Sequence, residues 1–569
     1  MLRAAVVLAF ASAALAAEAA LPNGGFEKAL QGWTVANNSG GFVAEVDRRS
    51  KKEGACSLHL AKSGGPPMDV LRADLRSIEA GQKIAIRAWF RAKGVKNGWF
   101  KVFFYDGKGE TIDQGPDVKS LAGDYDWKEI GITNTAPKGT ESAAIFVLLV
   151  QPGDLWVDDV RLEGAGPAKK ERPRPLDRAT KDWLDKNALA VKSLEFGEGF
   201  GDLEPLAAVW KDVRIVQLGE TTHGDGETNR AKARLARFLH ERCGFEVVAF
   251  ESGLFDCDRA NALLREGKWR EAMHASVFPI WRIEETVPLF QHMAKVARSD
   301  RPLTLAGFDM QATGKAGEAL VAEACALAGA SDEDRAAWGE LDRLLREDDY
   351  KPPDAARAKG LEALARVRGL VAERRAALVE RVGEPEVALV ERALEDFAVR
   401  EEFRRAGNDI HLRDRRMAEN LKWLAEVRYP GKKILTWAAT THLVKDHKPV
   451  AGGGEGNLFA TWKAMGHFVD EWFGANAYTI GFLSSEGPSG VWGAKFEIPE
   501  PNRDSLEDLF ARYGKPLLFV DLRRPNPFEK SLHASPMSYA RTMRAEWPKV
   551  LDALFYIREN SATKFIGWD

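Results

Sequence analysis

The run Val213-Arg214-Ile215-Val216-Gln217-Leu218-Gly219-Glu220-Thr221-Thr222-His223-Gly224 decides the fold. Its first half is a short apolar strand, and it turns abruptly into glycine and polar groups. A strand buried on both faces reads as a near-continuous apolar run, the habit of parallel sheets. A helical spacing follows from about residue 227 to 242. Val247-Val248-Ala249-Phe250, Leu303-Thr304-Leu305-Ala306-Gly307-Phe308 and Lys433-Ile434-Leu435-Thr436-Trp437 then repeat the strand pattern, and 478–482 and 516–520 add two more. Helices fill the intervals, including a long section at about 332–427 whose many charges read as a solvated face. Strands alternating with helices predict an α/β domain over 179–569, with a largely parallel sheet flanked by helices and a helical insertion.

Ligands of such sheets bind beyond the carboxyl ends of the strands. The first strand runs into Glu220 and His223, the second ends in Glu251, the third in Asp309, and the fourth leads through Ala438-Ala439-Thr440-Thr441 to His442. Each residue alone fits a helix cap or a surface charge; four strands delivering such groups to one edge point to a site. Its chemistry would be proton transfer, because imidazole accepts a proton near neutral pH and a carboxylate fixes its tautomer and stabilises the imidazolium. The chain has no Gly-x-Ser-x-Gly elbow, no His-Glu-x-x-His, no P-loop and no Gly-x-Gly-x-x-Gly after a strand. Gly452-Gly453-Gly454-Glu455-Gly456 follows no strand directly and reads as a flexible loop. His240, His292 and His411 fall in helical patterns and read as surface or capping residues. His274 is a candidate for the pocket wall, and His447 offers a weak metal pairing with His442.

Residues 21–163 have a different character. Lys83-Ile84-Ala85-Ile86-Arg87-Ala88-Trp89-Phe90 and Trp99-Phe100-Lys101-Val102-Phe103-Phe104-Tyr105 alternate in polarity, and Ala143-Ala144-Ile145-Phe146-Val147-Leu148-Leu149-Val150 adds an apolar strand. Short strands between Gly-, Asp- and Asn-rich turns predict an all-β sandwich. Asn23-Gly24-Gly25-Phe26-Glu27 with Gly32-Trp33 opens it, and Leu155-Trp156-Val157-Asp158-Asp159-Val160-Arg161-Leu162 closes it. This pair resembles the galactose-binding-like jelly-roll modules attached to many exported carbohydrate-active enzymes. The resemblance implies that the module binds carbohydrate or packs on a catalytic partner. Residues 164–178, polar and rich in Gly and Pro, read as the linker.

The 569 residues are 45% hydrophobic and 29% charged, which excludes wholesale disorder, and a net charge of -3 gives no pull toward nucleic acid or an anionic membrane. Four cysteines without CxxC spacing exclude a disulfide scaffold or a cysteine metal site and read as buried thiols, although an oxidising compartment leaves a Cys243–Cys257 bridge open. Met1-Leu2-Arg3, the uncharged run 4–16 and Ala14-Leu15-Ala16 read as a signal peptide over 1–16, and no later stretch is apolar enough to span a membrane. The expected location is periplasmic or secreted.

Several spaced motifs, in order, carry a second resemblance. They are Gly219-Glu220-Thr221-Thr222-His223-Gly224, Glu227, Lys232, Gly244-Phe245, Val247-Val248-Ala249-Phe250-Glu251, Phe278-Pro279-Ile280-Trp281-Arg282 with Glu285, Gly307-Phe308-Asp309-Met310-Gln311, Arg413-Asp414-Arg415-Arg416-Met417-Ala418-Glu419-Asn420, and His442. Together they resemble the erythromycin esterase family. The resemblance implies an ester hydrolase without a covalent enzyme intermediate and without a cofactor or metal. His223 would be the general base, Glu220 and Glu251 would orient and polarise it, and Lys232 would stabilise the oxyanion. His442 would orient substrate or assist proton transfer. Asp309, Trp281, Arg282 and His274 would line the substrate site. The substrate class implied is a small-molecule ester, macrolide-like or glycan-linked. The family often has His-Asn where Ala439-Thr440 stand, which counts against macrolides in particular and bears on the link to antibiotic resistance. Two rival readings stay open: a metal-dependent hydrolase with Glu220, His223, Glu251 and His442 as ligands, and a non-catalytic accessory protein of glycan binding or polysaccharide processing.

Overall fold

A computed structural model describes residues 21–567, except 22, 37–40, 64–67, 76–77, 79, 107–110, 114, 164–174, 315–318, 348–349, 451–460, 492–494, 500, 503 and 540–542. The expected signal peptide, most of the expected linker and the glycine-rich loop at 452–456 lie outside the described residues. The chain divides into two compact units, Met1–Pro175 and Leu176–Asp569.

The first unit is a two-layer antiparallel sandwich. One sheet orders Thr34–Ala36, Asp69–Leu75, Ser142–Leu149, Gly98–Tyr105 and Thr111–Asp113, and Lys119–Ser120 also pairs with Gly98–Tyr105. The other orders Phe42–Asp47, Ser57–Lys62, Gly153–Glu163, Lys83–Val95 and Gly123–Thr135. The period-2 pattern builds the core directly. Ile84, Ile86, Ala88 and Phe90 are buried from one sheet against Phe100, Val102, Phe104, Ile145 and Val147 of the other. Each such large apolar side chain contributes about 1.5–3 kcal/mol by leaving water.

The second unit opens with the helix Arg178–Asn187, whose first turn is capped by the Asp177 side chain. Its sheet has eight strands, numbered here in chain order: β1 Leu189–Ala190, β2 Ile215–Leu218, β3 Phe245–Gly253, β4 Thr304–Asp309, β5 Lys433–Trp437, β6 Ala477–Glu486, β7 Leu517–Asp521 and β8 Ala553–Glu559. They lie in the order β1-β7-β8-β6-β2-β5-β3-β4. The six from β8 to β4 pair in parallel, whereas β7 and β1 pair antiparallel at one edge, so the sheet is mixed. All four residues of β2 are buried, as helices on both faces require. The strand β8, Ala-Leu-Phe-Tyr-Ile-Arg-Glu, has no counterpart in the sequence reading.

The charged section resolves into the helices Asp332–Leu345, Asp354–Glu373, Arg375–Val382, Glu384–Arg405 and Ile410–Trp423. The expectation of a solvated face fails for part of it. Asp396, Arg400, Glu401, Asp414 and Arg416 are buried, and pair with one another or with neighbouring helices, for example Arg416 Nε to Asp396 Oδ1 at 2.6 Å. His240 and His292 are likewise not surface residues: His240 is buried, its Nδ1 lies 3.0 Å from His292 Nε2, and its Nε2 lies 3.0 Å from the Arg301 carbonyl. His411 is exposed. The four cysteines are free. No helix among the described residues is long and apolar enough to cross a membrane.

Candidate active site

The strands β2, β5, β3 and β4 are adjacent and parallel, so their carboxyl ends share one edge. Glu220 lies two residues beyond β2 and is fully buried. Its Oε1 accepts from His223 Nδ1 at 2.6 Å and from Trp281 Nε1 at 3.1 Å, and its Oε2 accepts from Lys232 Nζ at 2.6 Å. Gly219 permits the close approach: a Cβ there would stand 2.3 Å from Thr440 Oγ1, and next door Thr440 N donates to the Glu220 carbonyl at 2.9 Å. Burial alone would raise the Glu220 carboxyl, but Lys232 and His223 outweigh it and hold it below the ordinary range. Lys232, on the helix α1 (Gly226–Cys243), is also fully buried, with Nζ 4.4 Å from the centre of the Trp437 ring. Burial brings its ammonium down to about 8 against the pull of Glu220, so the pair is charged at neutral pH.

His223 is the exposed member, its side chain 36% accessible. A carboxylate only accepts, so the bond to Glu220 assigns the proton to Nδ1 and leaves the Nε2 lone pair of the neutral ring free to act. The edge-on Trp281 ring, 5.4 Å away and at 89°, walls one side. Burial lowers the affinity of the imidazole for a proton, but Glu220 and Glu251 more than offset this and raise it above the ordinary value.

A second histidine–carboxylate pair follows the adjacent strand at the same sheet edge. His442 follows β5 in the short helix Thr440–Leu443, and its Nδ1 lies 2.9 and 3.1 Å from the two oxygens of buried Asp414. Asp414 also accepts from Trp462 Nε1 at 3.0 Å and from Met465 N at 2.9 Å. His442 Nε2 lies 3.3 Å from Arg413 Nη1 and 3.4 Å from Glu251 Oε1. A neutral ring accepts from Arg413 there, and a protonated one turns to Glu251. Burial works against the charged ring, but Asp414 and Glu251 win and raise its affinity for a proton. Arg413 Nη2 bridges Glu251 Oε1 at 2.7 Å and Asp309 Oδ2 at 2.6 Å, and Ala439 N donates to Glu251 Oε2 at 3.1 Å. Burial opposes the Glu251 charge, yet His442, Arg413 and His223 hold it down at about 2.

The structure therefore brings together Glu220, His223, Lys232, Trp281, Glu251, Asp309 and His442. Lys232 is wholly buried against Glu220, its ammonium 2.6 Å from that carboxylate. Arg282 does not face the carboxylates: its guanidinium donates to the Val277 carbonyl at 3.1 and 3.2 Å and to the Thr313 carbonyl at 3.1 Å, bracing the loop behind Trp281. His274 is buried on the helix Trp269–Ser276, and buried His447 stacks on Trp462 at 4.6 Å. Sequence reasoning missed Arg413 and Asp414 as site residues. Their signal was a pair of adjacent charges one turn ahead of the buried Met417 and two turns ahead of the buried Leu421, on the inward side of a helix.

The oxygens of Glu220 and Glu251 that a cation would need already accept from Lys232, His223, Trp281, Arg413 and Ala439 N, and His442 Nδ1 carries a proton that it donates to Asp414. Two of these partners are cations themselves, so the donor set does not fit a metal ion. Among the described residues no cluster of three His, Cys, Asp or Glu side chains is arranged to hold one.

Comparison with known proteins agrees with this architecture. The family model "Erythromycin esterase" matches residues 240–565, which begins after Glu220, His223 and Lys232. A Bacillus subtilis protein, YbfO, named as a hydrolase, is 28% identical over 373 residues, covering 60% of this chain and 80% of its own. The type II erythromycin esterase of Escherichia coli is 20% identical over 421 residues, covering 68% of this chain and 99% of its own. The solved structure of the erythromycin esterase EreC, a mutant in its open conformation, superposes with a TM-score of 0.50 at 19% identity, covering 67% of this chain and 99% of that one. At that identity the superposition speaks for the fold alone. The match to more than half of the sequence places the chain in the erythromycin esterase family, and its function is hydrolytic.

Proposed function

We propose that the protein hydrolyses carboxylic esters of small molecules, with His223 as the general base that activates water. The observation that carries this reading is the pairing of His223 Nδ1 with buried Glu220 at 2.6 Å on an otherwise accessible ring. Neutral Nε2 takes the proton from water as it attacks the ester carbonyl. Glu220 stabilises the resulting imidazolium, and Trp281 and Lys232 hold Glu220 charged and oriented. In this reading His442, held by Asp414 and tied to Glu251, returns a proton to the departing alkoxide. An ester library turned over by wild type and not by His223→Ala tests the reading; no turnover by either, with carbohydrate bound instead, would favour the accessory protein.

The pH dependence follows from the same contacts. His223 works as a base only when neutral, and its proton affinity is raised, so kcat/KM should climb with pH through a midpoint above ~6.5, the ordinary histidine value. The Glu220–His223 pair stabilises the fold below ~6.5 and that contribution is lost as pH rises through the same raised midpoint, so activity and this share of stability move oppositely. Above about 8 Lys232 loses its proton and Glu220 its partner, and the rate should fall. A pH–rate profile flat from 6 to 9 would sink the assignment. We further propose export through the leader at 1–16, so that the protein recovered from the periplasm or medium begins at Ala17, as intact mass would read.

A further inference from the structure

Asp225 precedes α1 in the position of a helix cap, yet its side chain makes no capping bond. Its buried carboxylate turns back instead. Oδ2 accepts from Thr222 N at 3.2 Å and from Tyr539 OH at 3.2 Å, and Oδ1 accepts from Thr222 Oγ1 at 3.3 Å and from Asn560 Nδ2 at 3.0 Å. The first N–H groups of α1, which a helix leaves without partners, are served from elsewhere in the chain. Gly226 N donates to the Ser561 carbonyl at 2.7 Å, and Glu227 N donates to Asn560 Oδ1 at 3.2 Å. A Cβ on Gly226 would stand 2.7 Å from Ser561 Oγ, so glycine is what admits the segment. Buried Asn560 also donates to the Pro488 carbonyl at 3.1 Å.

The same segment, Asn560 to Ile566, continues to the other wall of the site. Thr563 N donates to the Gly224 carbonyl at 3.1 Å, Glu284 N to the Lys564 carbonyl at 2.8 Å, and Ile566 N to the Arg282 carbonyl at 3.1 Å. It is thus stitched to the loop bearing His223, to the helix bearing Lys232 and to the turn bearing Trp281. Those are the three side chains that donate to Glu220. We propose that Asn560 is a positioning residue for the hydrolytic site: it caps α1 from outside the helix and so frees Asp225 to hold the Glu220–His223 loop. The inference rests on the proposed role of His223, and it assigns Asn560 no contact with substrate.

The test is Asn560→Leu, which keeps size and removes both ends of the amide. With the loop loosened, kcat falls ~10–100-fold while KM stays within about threefold, because a reacting group displaced by about 1 Å costs rate rather than binding. Lys564→Ala, at an exposed side chain of the same segment, changes kcat by less than about twofold. A second readout needs no substrate: the pH dependence of His223 carbethoxylation by diethylpyrocarbonate, followed by peptide mass spectrometry. The charged groups acting on the ring are Glu220, Glu251 and Lys232, and those on Asp225 include Glu220. In wild type the midpoint lies above ~6.5, and in Asn560→Leu it moves down toward it as the Glu220 contact weakens. If Asn560→Leu does not fold, Tyr539→Phe removes another donor to Asp225 from outside the loop and moves both readouts the same way, by several-fold in kcat. A folded variant with unchanged kcat and unchanged midpoint, or with KM alone raised, overturns the proposal. If wild type hydrolyses no ester, the reading of function fails, and the carbethoxylation midpoint still decides whether Asn560 positions His223.

Discussion

His223→Ala is expected to lower kcat/KM by ~10²–10⁴-fold with the fold intact, the usual cost of deleting a general base. The ring is partly exposed, and its loss leaves no buried charge stranded, because Glu220 keeps Lys232 and Trp281. Glu220→Gln should approach the same loss for a different reason. Glutamine preserves volume but carries no charge to stabilise the imidazolium, and its amide end can present a donor to Nδ1, which favours the wrong tautomer. Asp414→Asn should act on His442 in the same manner with a smaller effect, since that ring is not the one open to water. Steady-state kinetics on any ester hydrolysed by wild type, with thermal unfolding as a check on integrity, decides the matter. Near-normal turnover by His223→Ala would remove the base from the mechanism.

The carboxyl-edge cluster was legible because parallel strands announce themselves as short apolar runs and the residue after each run must lie at the edge. That logic reached Glu220, His223, Glu251, Asp309 and His442 without any knowledge of pairing order. It could not reach Arg413 and Asp414, which arrive from a helix. In a charge-rich helix the buried and the solvated charges have the same composition, and only the packing of Met417 and Leu421 onto the sheet distinguishes them. It also could not say which way Lys232 would point. A lysine on the helix after the first strand can rise to the opening or sink beneath the loop, and the choice is made by Trp437 and Glu220, contributed by other segments. The antiparallel edge was lost for a simpler reason. The β8 run follows the Trp547-Pro548 turn within a stretch of irregular structure, and pairing direction leaves no trace in strand composition. Asn560 was invisible because a trans cap joins positions more than three hundred residues apart.

Lys232→Met is the substitution expected to cost most in stability. Both side chains of the Glu220–Lys232 pair are wholly buried, and removing one partner leaves a carboxylate in a medium that cannot solvate it. Such losses run about 3–5 kcal/mol, largely the penalty of the stranded charge rather than the worth of the pair. Two accounts of Lys232 then separate. If its ammonium served the oxyanion, methionine would cut kcat and leave the fold nearly as stable. If it serves Glu220, stability and kcat fall together, because a Glu220 that has taken up a proton no longer supports His223. The double variant Glu220→Gln with Lys232→Met sharpens the distinction. With no ion left to strand, it should recover most of the lost stability, as neutral replacements of buried pairs commonly do. Activity should stay low, since the imidazolium still has no charged partner. Denaturant unfolding of the two single variants and the double one completes the cycle, and a loss below about 1 kcal/mol for Lys232→Met, the scale of an exposed pair, would show that Glu220 does not depend on it.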